Sequence, residues 1–431
     1  MDKKRKFKIV CSCIIVISLF IVSLRYLTNL MELKNSDSKY LSFVEQKENY
    51  DVLFMGSSHV ILGVYPMELW KDYGIVSYNM GGHSNRIPTT YWVMENALEQ
   101  TNPKLIVIDC FYLHAEEKTS DIFSYVHTSF DAFPLNSTKL SATQDLLDDP
   151  EMDKMIQEGT ARELRERTEM ELLWDFSIYH TRWNELSEQD FVVSDTNTKG
   201  AEYIANVEKP IRVTKISAEK RTEGETTGVR YLRKMIEDCQ NRGIEVLLVY
   251  VPFPAGERGQ LDANRVYDIA DEYGVDYINF LDMDVVDYNT DCADTDSHLN
   301  VSGALKVTEY LGQYITEHYD IPDQRSNPAY ENWYKDYEKW SQEKIKAIWG
   351  TDRLDIYLML LADGYFEAEI EINNPKIWDD EYYVSFLKNI GVDEDDYGIA
   401  DDFNDEDGPD VRITVRDRVT QEFIVQKDFS L

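Results

Sequence analysis

The sequence predicts an α/β protein built on a doubly wound, parallel sheet of five strands, with a helical insertion and a small β-rich domain towards its C-terminal end. Three observations carry this prediction. Short apolar runs end in glycine or a polar residue, as buried parallel strands do. Stretches with apolar residues at helical spacing separate those runs. The alternation breaks off near residue 115, resumes near 225 and ends near 325.

Taken in order, the chain starts with Lys3, Lys4, Arg5, Lys6 and Lys8, followed by an uncharged apolar run over residues 9–24. Residues 1–31 therefore read as a cytoplasmic basic tail and an uncleaved transmembrane signal anchor. Arg25 can snorkel to the interface, and the basic flank sets the amino terminus inside and the remainder outside. Residues 32–48 are polar and read as a linker. Val52-Leu53-Phe54-Met55 then run into Gly56-Ser57-Ser58-His59, a buried strand ending in a tight turn. Such a turn presents a polar side chain at the carboxyl edge of the sheet, where open α/β sheets bind ligands.

A helix is expected over 65–72 and a second strand over 75–80, ending in Gly81-Gly82-His83. Ile87, Tyr91, Met94 and Leu98 recur at helical spacing, with Pro88 in the first turn. Residues 105–108 form a third strand that ends at Asp109-Cys110-Phe111. Residues 115–225 are polar and mostly helical in character, for example over 152–173, and read as an insertion over the carboxyl edge of the sheet. It contains the cluster Tyr179-His180-Thr181-Arg182-Trp183.

The alternation resumes with a helix carrying Val229, Leu232, Ile236 and Cys239. A strand follows over 244–251, stopped by Pro252 and Pro254. Val266, Ile269, Ala270 and Tyr273 mark the next helix and 275–279 the fifth strand. The last helix starts near Ser302 and buries Ala304, Val307, Leu311 and Ile315. The α/β domain thus covers 49–325. A helical connector over 326–350 leads to a small, acidic, β-rich domain over 351–431, with strands expected at 356–361, 365–372 and 411–425. Residues 401–410 mimic a calcium loop, but Phe403 stands where the first ligand belongs, so a solvated acidic loop is expected.

Composition narrows the function. With 80 acidic against 44 basic residues the formal net charge is −36, which argues against nucleic acid as a partner. Cys11 and Cys13 lie in the anchor, and Cys110, Cys239 and Cys292 are too far apart for a disulfide framework or a metal motif. No glycine-rich phosphate loop or clustered metal ligands occur, so neither cofactor nor metal is expected.

Ser58 is the candidate nucleophile, and it needs a base and oxyanion donors. Asp296-Ser297-His298 supplies a histidine in a loop before a helix, with Asp296 at −2 and Asp294 at −4, which suits a general base oriented by a carboxylate. The same stretch also reads as an ordinary helix start capped by Asn300 or Ser302.

Together, Gly56-Ser57-Ser58 after the first strand and Asp296-Ser297-His298-Leu299-Asn300 before the last helix resemble the SGNH/GDSL hydrolase superfamily. Within it the chain looks like the extracytoplasmic acyl-transfer branch, DltD-like and alginate O-acetyltransferase-like, over residues 50–318. The resemblance implies a flavodoxin-like sheet, Ser58 as nucleophile and His298 as base. Asp296 is the implied orienting carboxylate, with Asp294 as runner-up; many members space the pair Asp-x-x-His, and here that position is Thr295. The implied oxyanion donors are the backbone N–H of Ser58 and that of Gly81 or Gly82. The family's asparagine after the third strand is replaced by Asp109, so a third donor is sought in Asn79, Asn85 or the insertion.

His83 and Asn85, beside the glycine pair, and His180, Arg182 and Trp183 are expected to bind substrate; the last three equally suit a packed junction. His59 is expected to pack or to cap the next helix. The resemblance implies a single-pass cell-membrane protein whose extracytoplasmic domain is a serine esterase or O-acyltransferase. Its substrate would be a cell-envelope polysaccharide or teichoic-acid-like polymer, and its partner a membrane-bound O-acyltransferase. The alternative is a catalytically inactive SGNH-like envelope protein that binds a polymer or membrane partner.

Overall fold

The computed structural model describes residues 3–31, 39–161, 169–174, 176–191, 197–209, 214–362, 364–392, 408–418 and 420–431. The expected acidic loop at 401–410 lies mostly outside the described residues. Chain contacts divide the molecule into two units, Met1–Lys47 with Thr119–Thr196, and Glu48–Lys118 with Asn197–Leu431. The predicted insertion is therefore divided, most of its first part grouping with the N-terminal helix and its last part with the α/β core.

In the larger unit, β1 (Val52–Met55), β2 (Ser77–Asn79), β3 (Leu105–Asp109), β4 (Glu245–Tyr250) and β5 (Asp276–Asn279) pair in parallel in the order β2-β1-β3-β4-β5. Val52, Phe54, Leu105, Val107, Leu247 and Val249 pack on one face with Leu69, Val307 and Leu311. The alternate residues Leu53, Ile106 and Leu248 are equally buried and point to the other face by the period of the strand. Burial on both faces is why these runs read as continuously apolar. Chain direction across the sheet reverses between β1 and β3, which opens a crevice at their carboxyl ends. Gly56-Ser57-Ser58 leaves β1 at that point.

Helix Val301–His318 packs against helix Pro66–Tyr73. The connector forms helix Asn332–Gly350 and is clamped to the core by buried polar groups. The Glu68 carboxylate accepts Lys344 Nζ at 2.5 Å and Trp340 Nε1 at 2.7 Å, and Lys199 Nζ meets Asp336 at 2.9 Å.

The C-terminal region is an antiparallel sheet of β6 (Phe366–Ile372), β7 (Val411–Asp417) and β8 (Phe423–Phe429). The single strand expected over 411–425 is thus a hairpin. The strand expected over 356–361 is instead part of helix Leu354–Leu361, all of whose residues are buried. A short run that is apolar all round carries no period, so the sequence cannot separate a buried strand from a buried helix.

In the smaller unit, helix Lys3–Met31 is, over Lys3–Thr28, long and apolar enough to span a membrane or act as a signal anchor. The expected linker holds helix Lys39–Gln46, which buries Tyr40 and Phe43, the former 6.0 Å from the ring of Phe133. The helix expected over 152–173 is interrupted: Pro150–Gln157 stops before Gly159, which takes a left-handed conformation, and Glu169–Leu173 is a separate short helix.

Candidate active site

The two hydroxyls after β1 take different positions. Ser57 is 2 % exposed and caps helix Ser58–Gly63, its Oγ accepting from His59 N at 3.3 Å. Ser58 opens that helix, and its Oγ lies 2.9 Å from His298 Nε2. Close approach forms the turn. A methyl group on Gly56 would lie 2.7 Å from Val60 Cγ2 and 2.9 Å from Asp109 Cβ, so only glycine fits between β1, the helix and β3.

His298 is held by Asp294. Asp294 Oδ2 sits 2.6 Å from His298 Nδ1, while its Oδ1 accepts backbone N–H groups of Ser297 at 2.7 Å, His298 at 3.0 Å and Asp296 at 3.3 Å. Burial pushes this carboxyl up, but the His298 backbone and ring and the Ser297 N–H outweigh it and hold the group below the usual carboxylate range. Asp296, expected in this position, instead accepts Ser297 Oγ at 3.1 Å on the exposed side of the loop. The reason is the turn. A carboxylate four residues back can fold over the loop's N–H groups and still reach the ring, whereas the one at −2 points away from it.

The loop is itself anchored. Cys292 and Leu299 form a β-bridge, and Ala293 N donates to His298 O at 2.9 Å. Asn300 caps helix Val301–His318 through Gly303 N at 3.2 Å and donates to the carbonyls of Thr290 at 2.8 Å and Cys292 at 3.3 Å. Asn206 donates to Ala293 O at 2.8 Å, and Glu208 N to Cys292 O at 3.1 Å.

The oxyanion donors differ from expectation. Gly81 N donates to Asn79 Oδ1 at 3.1 Å and Gly82 N to Gly56 O at 3.0 Å, so both are committed inside the fold. Both glycines serve close approach. A methyl group on Gly81 would lie 2.8 Å from Ser57 O, and one on Gly82 would overlap the Asn85 amide. Asn79 is fully buried and donates to Val60 O at 2.7 Å and Val64 O at 2.9 Å, a brace between β2 and the turn rather than a donor to the cleft. Ser58 N, at the first turn of its helix, is the remaining member of the expected set.

Asp109 does not face the cleft. It is buried beside Gly56, its Oδ1 accepts Val251 N at 3.2 Å, and its Oδ2 has no partner. Burial raises its pKa to about 7, against the opposing N–H groups of Val251 and Phe111.

His59 is 4 % exposed, stacked on Phe253 at 4.8 Å, edge-on to Phe111 at 3.9 Å and to His298 at 5.5 Å. Burial, reinforced by His298, lowers its pKa to about 3, so it is neutral, and its ring hydrogen-bonds the Ser297 backbone. His83 Nε2 lies 3.3 Å from Glu202 Oε1, and Glu202 N donates to Ile61 O at 3.1 Å. Glu202 and Asn206 were not legible as site residues, because nothing in 201–208 has a period or a motif.

His180, Arg182 and Trp183 belong to the smaller unit. Arg182 is bound to Asp190 at 3.0 Å and to the carbonyl of Met31, and His180 to Ser177 O at 2.9 Å. Among the described residues no three His, Cys, Asp or Glu side chains gather to hold a metal.

Chemically, the line from Ser58 through His298 to Asp294 can take a proton from a hydroxyl and hold the resulting imidazolium. No family model, curated protein or solved structure matches this chain. The functional reading therefore rests on geometry and on the resemblance of the two motif blocks.

Proposed function

We propose that the chain is a membrane-anchored serine esterase or O-acyltransferase of SGNH type, working outside the membrane on acyl esters of a cell-envelope glycopolymer. The observation that carries this reading is the continuous hydrogen-bonded line Ser58 Oγ, His298 Nε2, His298 Nδ1, Asp294 Oδ2 at the crevice between β1 and β3. The motif resemblance and the basic-flanked apolar helix support the substrate class and the topology.

In this reading Ser58 Oγ attacks the ester carbonyl carbon as its proton passes to His298 Nε2. Asp294 keeps the ring oriented and stabilises the imidazolium. His298 then returns the proton to the leaving alkoxide, which leaves the acyl group on Ser58. An acceptor hydroxyl, from water or a sugar, attacks the acyl carbon as its proton passes to His298; the bond to Ser58 breaks and His298 returns that proton to Ser58 Oγ. The Ser58 N–H, in the first turn of its helix, serves as oxyanion donor in this reading.

The test uses the full-length chain in membranes, a fluorophosphonate probe and a chromogenic acyl ester. Ser58→Ala should abolish labelling. Asp294→Asn should cut the rate by about 10²–10⁴, as loss of an orienting carboxylate does, while Asp296→Asn should stay within about twofold. Undiminished labelling of Ser58→Ala would overturn the assignment.

One observation favours the second reading, a polymer-binding protein without turnover: the N–H groups of Gly81 and Gly82 are already engaged. That reading predicts polymer retention with no Ser58-dependent adduct.

A further inference from the structure

The smaller unit carries a surface that the proposed chemistry does not use. Outside the anchor, ten large apolar side chains are exposed among the described residues, and six of them belong to this much smaller unit. Trp183 is 68 % exposed, Leu135 64 % and Phe191 63 %, joined by Met170, Trp174 and Leu140. A soluble surface rarely gathers such residues without a partner.

Their position relative to the anchor helix identifies that partner. The segments Phe176–Tyr179 and Glu188–Phe191 pack against helix Lys3–Met31, and the Arg182 guanidinium donates to the Met31 carbonyl at the helix end. Trp183 follows Arg182 directly. The apolar stretch ends at Thr28, three residues before Met31, which is about 5 Å along the axis at 1.5 Å per residue. Trp183 is thereby placed where the helix leaves the hydrocarbon, the level at which tryptophan is favoured.

Deeper along the helix, a cleft of about 310 Å³ is lined by Ile21, Leu24, Leu135 and Trp174, together with the charged side chains of Arg25, Glu45, Asp131 and Lys139. Leu24 lies about 10 Å below Met31 on the same rise. Leu135 and Trp174 therefore face a part of the helix that belongs inside the apolar span, where the surrounding medium is lipid.

We propose that this unit is a membrane foot, and that Leu135, Trp174, Trp183 and Phe191 insert into the outer-facing phospholipid leaflet beside the anchor. The proposal rests on reading helix Lys3–Met31 as a membrane span, and it adds a second, lateral attachment to it. An apolar face at this depth is buried on the order of 5–10 Å into the boundary of headgroups and chains.

The experiment reconstitutes the full-length chain at low protein-to-lipid ratio into phosphatidylcholine/phosphatidylglycerol vesicles without any other protein, with lipids brominated at shallow or deep acyl positions. The anchor has no tryptophan, so bromine quenching of tryptophan emission reports the rest of the chain. Wild type should be quenched, more by shallow than by deep bromine, and the double variant Trp174→Phe/Trp183→Phe should lose most of that quenching. Both side chains are exposed or nearly so, so the variant keeps its fold; circular dichroism checks this. Co-flotation with vesicles tests the anchor separately. If the chain does not float, the membrane-span reading fails. If it floats but shows no bromine quenching, or quenching that survives the double substitution, the foot is overturned and its apolar face belongs to a protein partner or a second copy.

Discussion

Adjacent residues with the same chemistry do opposite work here. Ser57 Oγ turns back to cap a helix, whereas Ser58 Oγ reaches His298, and the backbone of the turn alone separates them. Ser57→Ala should cost about 1 kcal/mol of stability, the usual worth of an N-cap, with probe labelling of Ser58 retained; chemical denaturation and labelling measure the two. Asp109 offers a pH test. Its pKa is raised from 3.8 in the unfolded chain to about 7 by burial. The folded chain therefore keeps a proton that the unfolded chain releases. Its stability is fully present below about pH 4 and is lost as pH rises towards 7. Asp109→Asn removes this loss, so it should stabilise the protein at pH 8 by on the order of 2–4 kcal/mol, with the gain vanishing near pH 4. Thermal melts across that range check it; a gain independent of pH would show that ionisation is not the cause.

At the scale of elements, His298 is positioned by a loop whose geometry comes from its neighbours. Asn300 binds both ends of the 290–300 loop and the start of helix Val301–His318. Asn300→Ala should therefore cost about 2 kcal/mol, from a lost cap and unsatisfied carbonyls. It should also reduce the rate by more than the stability loss explains, because His298 lies two residues away. Asn300→Asp, which keeps the cap, should restore stability more fully than rate. The last helix and its cap were legible from Ala304, Val307, Leu311 and Ile315 and from the asparagine before them. The 201–208 segment that steadies the loop was not, since irregular chain leaves no periodic trace.

For the whole molecule, the C-terminal region is integral to the site rather than an independent appendage. Its core of Tyr357, Leu358, Ile370, Ile413 and Val415 is continuous with Val301, Val207 and Leu305. Asn389 Nδ2 also donates to Thr290 Oγ1 at 2.7 Å. A chain ending at residue 350 should expose the first turn of helix Val301–His318. It should lose Ser58 labelling and become sensitive to limited proteolysis near 290–300, both read on membranes from the same preparation. Retained labelling in the truncated chain would show that the appended sheet does not support the base.

By itself the sequence determined the five parallel strands, the helices between them, the long apolar N-terminal helix and the positions of Ser58 and His298 in the turn after β1 and the loop before the last helix. Each of these is written in a local period or in the residue that breaks one. Only the tertiary structure decided that Asp294 rather than Asp296 meets His298, that Gly81 and Gly82 spend their N–H groups inside the fold, and that Leu354–Leu361 is a helix. These depend on where a loop folds back, which backbone groups are already paired and what packs around an apolar run. Such outcomes are set by contacts between residues far apart in the chain, and no local pattern encodes them.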